Sequence, residues 1–218
     1  VAFLGAIKAG IVPVAVNTLL TTQDYEYMLA DSRAQALLVS QALLPQFAPL
    51  IGKLPFLKYI IVSGADAQGH VAFREVLAQG RKELAPAPTT RDDACFWLYS
   101  SGSTGMPKGT VHVHASLIVT AELYAVGVLG LAQSDVVFSA AKLFFAYGLG
   151  NSLTFTLAVG ATTILMAERP TPAAVFKRLT ERKPTVFFGV PTLYAAMLAD
   201  PALPQRDALA LRLCISAG

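Results

Sequence analysis

The hydrophobic positions of this chain recur as short continuous apolar runs that polar, glycine-containing segments separate. Runs of this kind are typical of strands buried on both faces of a sheet, because a half-exposed strand would alternate apolar and polar residues. The runs predict strands at Ile11–Val16, Ala36–Val39, Tyr59–Val62, Ala94–Tyr99, Val136–Ser139, Thr162–Met166, Val186–Phe188 and Leu211–Ser216.

Helical segments are predicted between these strands. Thr21 stands three residues before Asp24, a capping pattern that marks the start of a helix. Ala115–Val126 has a helical composition, and so has Pro172–Arg182, whose leading proline suits a first helical turn. The alternation of strands and helices predicts an α/β fold with largely parallel sheets sandwiched by helices.

One stretch, Lys82–Arg91, differs in composition from its surroundings because it contains the run Ala-Pro-Ala-Pro-Thr-Thr. Proline removes a backbone donor and stiffens the chain, so this stretch is predicted as an irregular connection. It is either a break between two subdomains or a surface connection, and we favour the surface connection.

Composition excludes several classes of protein. The chain has 218 residues of which 54% are hydrophobic, enough for a substantial core, so it is not disordered. Its 17 basic and 14 acidic residues are scattered, and the absence of a basic block argues against a nucleic-acid partner. Cys95 and Cys214 each lie in an apolar run and are interpreted as reduced core thiols of a cytoplasmic protein.

A membrane span is the alternative for the segment between Lys142 and Glu168, which contains no charged residue. Gly148, Gly150 and Gly160 interrupt it, however, together with several hydroxyl-bearing residues. The segment is therefore predicted to comprise a loop, a helix and a strand of a buried core, with no membrane partner.

The richest chemistry lies in the run Tyr99–Gly109, which follows a predicted strand. Its glycines permit positive φ and close backbone approach, so that N–H groups can converge on an anion. Its hydroxyl groups add neutral donors, and Lys108 adds a mobile charge suited to phosphate. The glycines are Gly102, Gly105 and Gly109, and the hydroxyl-bearing residues are Ser100, Ser101, Ser103 and Thr104. The run predicts a polyphosphate-binding loop.

Two better-known loops do not fit this run. A P-loop requires Gly-Lys followed by Ser or Thr, whereas here Pro107 precedes Lys108 and Gly109 follows it. A nucleophilic serine elbow requires Gly-x-Ser-x-Gly, which the run does not contain.

The run Tyr99–Gly109 resembles the phosphate-loop signature of the acyl-adenylate-forming, or AMP-binding, superfamily. Ile7–Asn17 is similar to the Lys-Ala-Gly element upstream in that superfamily, although Ala15 stands where relatives commonly have proline. The resemblance extends over essentially the whole chain. It implies that residues 1–218 are part of a large N-terminal domain, and that the small C-terminal domain is absent from them.

The resemblance also implies a two-step reaction with ATP, Mg²⁺ and CoA. A carboxylate attacks the α-phosphorus of ATP to give an acyl-AMP and pyrophosphate, and the CoA thiol then displaces AMP. Lys108 and Thr104 are the implied catalytic residues. The implied nucleotide-binding residues are Ser100, Ser101, Gly102, Ser103, Thr104, Gly105, Lys108 and Gly109.

The segment Lys142–Asn151 occupies the place of the superfamily's aromatic acyl-pocket element. Its sequence Phe-Phe-Ala-Tyr-Gly-Leu-Gly-Asn is similar to that of benzoate and hydroxybenzoate CoA ligases, and its aromatic rings suit a flat apolar acid. Taken alone, the same aromatics would be ordinary core residues. The implied acid-binding residues are Phe145, Ala146, Tyr147, Gly148, Ser216, Ala217 and Gly218.

The expected function is therefore that of an aryl-CoA ligase for an aromatic carboxylate. Hydroxybenzoate, aminobenzoate or another acyl acid remains an alternative substrate, and a non-catalytic nucleotide-binding fragment remains an alternative class. We expect these 218 residues alone to show negligible turnover, because positioning groups act as a unit.

No metal site is predicted. His112 and His114 would share one face of a strand, but no third ligand stands near them in the sequence. Asp92 and Asp93 are interpreted as a solvated turn and not as an acid/base pair.

Overall fold

The computed structural model describes residues 1–100 and 105–217. Its strands are Val14–Ala15 (β1), Ala36–Ser40 (β2), Tyr59–Ser63 (β3), Val71–Ala72 (β4), Ala94–Ser100 (β5), Lys108–Val113 (β6), Val136–Ser139 (β7), Thr162–Ile164 (β8), Val186–Gly189 (β9) and Leu213–Ser216 (β10). Its α-helices are Ala2–Lys8 (α1), Thr22–Asp31 (α2), Leu44–Phe47 (α3), Phe73–Gln79 (α4), His114–Thr120 (α5), Ala146–Leu149 (α6), Phe155–Val159 (α7), Pro172–Arg182 (α8) and Pro191–Ala199 (α9). Ala121–Val126 and Gly150–Thr154 are π-helical, and Ala48–Leu50 and Arg206–Ala208 are 3₁₀ turns.

The chain divides into two compact units. Unit 1 comprises Val1–Thr89 and Cys95–Val111, and unit 2 comprises Thr90–Ala94 and His112–Gly218. The predicted connection Lys82–Arg91 contains no helix or strand. The interpretation as a surface connection, with a subdomain break as the alternative, stays a prediction.

Unit 1 contains two sheets. In one, β2, β3 and β4 follow one another as parallel neighbours, and in the other the order is β1-β5-β6 with β1 and β5 parallel. Helix α2 begins with the predicted capping box: the Thr21 hydroxyl accepts the Asp24 N–H at 3.3 Å, and the Asp24 carboxylate accepts the Thr21 N–H at 3.0 Å. The core of this unit is formed by Tyr25, Val39, Leu44, Phe47, Leu50 and Val62.

Unit 2 is built on a parallel sheet with the order β10-β9-β7-β8. Successive side chains of a strand point to opposite faces, so Phe187 and Phe188 of β9 belong to two different cores. Helices α8 and α9 contribute to the core around Phe187, and the π-helical segments with α7 cover the face of Phe188. The α/β prediction with parallel sheets is confirmed.

Several element boundaries differ from the sequence-based prediction. The first strand is only Val14–Ala15, because Gly10 turns the chain with a φ of +74° and Pro13 has no N–H to donate. The predicted helix Ala115–Val126 begins one residue earlier and becomes π-helical at Ala121. Helix α8 has the predicted bounds, with Pro172 in its first turn.

The uncharged segment between Lys142 and Glu168 folds as part of unit 2. Helix α6 continues through the π-helical residues into α7, and Gly160 ends this helix with a φ of +73°. Asn151, Ser152 and Thr156 are buried within it. Over residues 1–100 and 105–217, the structure holds no helix with the length and apolar character that crossing a membrane requires.

The two cysteines differ in exposure. Cys95 is buried in β5, as predicted, whereas Cys214 is exposed. The prediction of a core thiol was wrong for Cys214, because the side of β10 that carries Cys214 and Ser216 is exposed in the described structure.

An ion pair holds the amino-terminal ends of three strands together. The buried Asp135 carboxylate accepts hydrogen bonds from Arg212 Nε at 2.8 Å and Nη2 at 2.6 Å, and from the Thr185 hydroxyl at 2.7 Å. These residues directly precede β7, β10 and β9, respectively. The guanidinium of Arg212 holds the pKa of Asp135 well below its usual range.

We expect Asp135→Ala to lower the free energy of unfolding of the full-length protein by about 2 kcal/mol, because it leaves Arg212 and Thr185 without their acceptor. Asp92→Ala is the matched control, since Asp92 lies 4.0 Å from Arg91 in a pair that is exposed on both sides. It should change stability by less than about 0.5 kcal/mol. Urea denaturation measures both.

This difference should depend on pH with a defined sign. The folded-state pKa of Asp135 is lowered, so its stabilisation is present above the unfolded-state pKa of about 4 and is lost as the pH falls below it. Thermal unfolding of the wild type and Asp135→Ala should therefore converge in acid. A gap that stays constant from pH 7 to pH 3 would contradict this account.

Candidate functional site

The predicted phosphate loop is described at its two ends. Ser100 is the last residue of β5, and Lys108 is the exposed first residue of β6. Between them, Ser101, Gly102, Ser103 and Thr104 lie outside the described residues. Gly105 has a φ of +112°, a conformation that favours glycine. This value agrees with the prediction that glycines of the loop permit positive φ.

The strand that leads into the loop is held by a hydrogen bond that the sequence did not indicate. The Tyr99 hydroxyl donates to the carboxylate of Asp31, at the end of α2, over 2.6 Å. Burial raises the pKa of Tyr99, so the phenol stays protonated and remains a donor. The residue before Ser100 is thereby fixed to a helix of unit 1.

Gly109 has a steric role at the other end of the loop. A Cβ atom at this position would lie 3.0 Å from Cε3 of Trp97 and 3.3 Å from Cζ of Tyr99. Two aromatic rings of β5 therefore leave little room for a side chain at this position. This packing accounts for a glycine here, and nucleotide binding by Gly109 stays a prediction.

The predicted acid-binding element is the start of α6. Phe145 is exposed at 47% and precedes the helix, Ala146 is exposed as its first residue, and Tyr147 is half-buried. Gly148 is buried, and a Cβ atom there would lie 2.1 Å from the carbonyl oxygen of Lys142. Only glycine allows the helix to start so close to the preceding loop.

Tyr147 joins this element to the ends of two strands. Its hydroxyl lies 3.2 Å from the carbonyl oxygen of Gly189 and 3.3 Å from that of Ile215. Ser216 and Ala217 follow immediately, and the Ala217 N–H donates to Gly189 at 3.3 Å. The structure therefore brings the predicted residues Tyr147, Ser216 and Ala217 together, whereas Gly218 lies outside the described residues.

Two further residues of this region were missed by the sequence analysis. Lys142 Nζ donates to the carbonyl oxygens of Met166, Ala167 and Glu168 at 2.6, 3.1 and 2.6 Å, which fixes the loop before α6 to the chain after β8. A lysine at the edge of a long uncharged segment was the available signal. Tyr194 of α9 also approaches the strand ends, and no local pattern marked it.

The prediction that His112 and His114 share one face of a strand is wrong. His112 lies in β6, but β6 ends at Val113 and His114 is the first residue of α5, so the two imidazoles do not share one face of a strand. Burial lowers the pKa of His112. Outside residues 101–104 and 218, no three His, Cys, Asp or Glu side chains come together as metal ligands.

Asp93 lies in the predicted exposed turn, where its carboxylate accepts the Thr90 N–H at 2.6 Å. This hydrogen bond lowers the pKa of Asp93. The acceptor role agrees with the interpretation of Asp92 and Asp93 as a turn.

An open groove of about 700 Å³ lies along β8 and α8, lined among others by Thr163, Arg178 and Glu181. Its lining includes none of the predicted site residues. Arg178 forms an ion pair with Glu168 beside it. The groove is thus separate from the strand ends that Tyr147 contacts.

A parallel α/β fold with a glycine- and serine-rich loop after a buried strand is the architecture of many nucleotide-binding proteins. A family model narrows this class, since the model described as AMP-binding enzyme matches residues 1–218. The chain belongs to the AMP-binding enzyme family.

The chain is similar to characterised aryl-CoA ligases over nearly its whole length. It is 63% identical to benzoate–CoA ligase of Thauera aromatica over 216 residues, which are 99% of this chain and 41% of that protein. It is 50% identical to 4-hydroxybenzoate–CoA/benzoate–CoA ligase of Rhodopseudomonas palustris, covering 40% of that protein. The chain therefore spans about two fifths of the length of these relatives.

Solved structures agree in fold. A benzoate CoA ligase from Burkholderia xenovorans superposes with a TM-score of 0.89 at 55% identity, covering 100% of this chain and 42% of that one. The anthranilate CoA ligase AuaEII, solved in complex with anthranoyl-AMP, superposes with a TM-score of 0.93 at 40% identity, covering 99% of this chain and 42% of that one.

We expect Gly148→Ala to destabilise the full-length protein by about 2 kcal/mol, because the added methyl overlaps the Lys142 carbonyl and the helix start must shift. Gly150→Ala is the matched control. Its Cβ would meet only the Phe155 ring, at 3.5 Å, within ordinary contact distance. It should be neutral or stabilising by up to about 1 kcal/mol. Equal melting temperatures for the two variants would contradict the steric role of Gly148.

Proposed function

We propose that the complete protein carrying this chain is an aryl-CoA ligase of the benzoate type. It activates an aromatic carboxylate with ATP to an acyl-AMP, releasing pyrophosphate, and transfers the acyl group to the thiol of CoA. The observation that carries this proposal is the contact of Tyr147 with the strand ends before Ser216 and Ala217, in a chain that is 63% identical to a benzoate–CoA ligase.

The local geometry supports an aromatic acid. The hydroxyl of Tyr147 is engaged with main-chain carbonyls, and burial raises its pKa to about 12. What this residue can offer to a ligand is therefore the ring and not a free hydroxyl. Phe145, which directly precedes α6, adds a second ring that is exposed. Flat apolar walls suit the ring of benzoate and bind a carboxylate with a charged or aliphatic acyl group less well.

The phosphate loop supports the use of ATP. In this proposal Ser100, Gly105 and the loop residues between them bind the triphosphate, and Thr104 and Lys108 stabilise the charge that develops as the α-phosphorus is attacked. Lys108 is exposed at the start of β6, so its ammonium group is free of the core. Positioned donors of this kind are what an in-line displacement at phosphorus requires.

We also propose that the complete protein uses Mg²⁺ and CoA together with ATP, because the resemblance to the superfamily implies them. The described residues form no acidic cluster for a divalent ion. Mg²⁺ would enter bound to the ATP phosphates, which is usual for this ion, and would supply positive charge there. ATP and CoA are cytoplasmic cosubstrates, and we place the complete protein in the cytoplasm.

The full-length protein should catalyse ATP–pyrophosphate exchange that depends on benzoate. Benzoate, the hydroxybenzoates, 2-aminobenzoate and a medium-chain fatty acid are compared at equal concentrations, and CoA-ester formation is then measured by mass spectrometry. We expect the aromatic acids to support exchange and benzoate to give the highest kcat/KM. Exchange with the fatty acid alone would overturn the aromatic assignment, and no exchange with any acid would overturn the activity.

Lys108→Ala should lower the exchange rate about a hundredfold, because it removes a charge from the transition state. Its melting temperature should stay within about 1 °C of the wild type, since the side chain is exposed and contributes little to packing. Lys58→Ala, another exposed lysine of unit 1, is the control and should retain full activity. A parallel loss of activity and stability in Lys108→Ala would count against a role in phosphate binding.

A further inference from the structure

Two tyrosines converge on one main-chain carbonyl at the end of the unit 2 sheet. The Tyr194 hydroxyl lies 3.1 Å from the carbonyl oxygen of Ile215 and 3.2 Å from that of Phe187. The Tyr147 hydroxyl lies 3.3 Å from the same Ile215 oxygen and 3.2 Å from that of Gly189. Each phenol has one proton, so it donates to one of its two acceptors at a time.

The two phenols reach this carbonyl from opposite faces of the sheet. The ring of Tyr147 packs edge-on against Phe188, with centroids 6.0 Å apart, and the ring of Tyr194 packs edge-on against Phe187, at 5.4 Å. Phe187 and Phe188 are consecutive residues of β9, and consecutive side chains of a strand point to opposite faces. The carboxyl ends of β9 and β10 are therefore held from both sides.

Gly189 allows Tyr194 to approach so closely. A Cβ atom at Gly189 would lie 2.8 Å from Cε2 and 3.2 Å from Cζ of the Tyr194 ring. The same glycine accepts the Ala217 N–H at 3.3 Å. The position of Tyr194 and the path of Ser216–Ala217 are thus set by one short stretch of backbone.

Both phenols remain donors near neutral pH. Burial raises the pKa of Tyr147 to about 12 and raises that of Tyr194 as well. Neither hydroxyl loses its proton near neutrality, so the contacts to Ile215 persist there.

We propose that Tyr194 is a positioning residue for the acid site: from the face opposite Tyr147, it holds Ile215 and thereby the Ser216–Ala217 segment in place. Tyr194 does not itself contact the acid in this proposal. The inference rests on the proposed aryl-CoA ligase function, and it adds a residue that neither the phosphate loop nor the aromatic element contains.

Tyr194→Phe in the full-length protein tests the inference, because it keeps the ring and removes only the hydroxyl. We expect the KM for benzoate in ATP–pyrophosphate exchange to rise about three- to tenfold, the range that the loss of one buried hydrogen bond produces. Tyr25→Phe is the matched control, since the Tyr25 hydroxyl also donates to a main-chain carbonyl, that of Asn17, in unit 1. It should leave the KM for benzoate unchanged although its melting temperature falls.

The double variant Tyr147→Phe/Tyr194→Phe gives a second readout. Because both hydroxyls act on the Ile215 carbonyl, their effects on the KM for benzoate should not be additive. If Tyr194→Phe does not fold, Gly189→Ala replaces it, since the added methyl displaces the Tyr194 ring from the carbonyl.

A KM for benzoate within twofold of the wild type in Tyr194→Phe, with a melting temperature lowered as in Tyr25→Phe, would overturn the positioning role and leave the proposed function standing. A wild-type protein that shows no exchange with any aromatic acid would overturn the proposed function itself, and the inference with it.

Discussion

Strand β9 is the constraint on which unit 2 depends. All four of its residues are buried, with one core on the side of Phe187 and another on the side of Phe188. It also has a parallel neighbour on each edge, so its backbone groups are paired in both directions. A strand confined on four sides cannot shift its register without turning large apolar side chains to the wrong face. Strands β7 and β10 take their positions from it.

The two ends of this sheet are held by different chemistry. At the amino-terminal ends, the carboxylate of Asp135 and the guanidinium of Arg212 form a charged contact that Thr185 shares. At the carboxyl-terminal ends, the contacts come from the neutral phenols of Tyr147 and Tyr194. Ligands of open parallel sheets bind at the carboxyl ends of the strands. Neutral donors fix that end of the sheet without adding a charge to it.

Features that neighbouring residues determine could be predicted from the sequence, whereas features that depend on contacts between distant residues could not. The capping box of Thr21 and Asp24 and the bounds of α8 were predictable, because residues within one turn determine them. The contact of Tyr147 with Ile215 spans 68 positions and had no local signal. The exposure of Cys214 and the π-helical turn at Ala121 had no local signal in the sequence either.

The glycines of the phosphate-loop run are required for different reasons. A match to the signature therefore does not by itself make each of them a phosphate-binding residue. Gly105 has a φ of +112° and an open space where a side chain would stand, so its backbone conformation is the reason for glycine. Gly109 lacks that conformation, and its Cβ would lie in tight contact with the rings of Trp97 and Tyr99. Tyr99 in turn is fixed by Asp31. Part of the run is therefore explained by packing within unit 1, and phosphate binding by the residues from Ser100 to Lys108 stays a prediction.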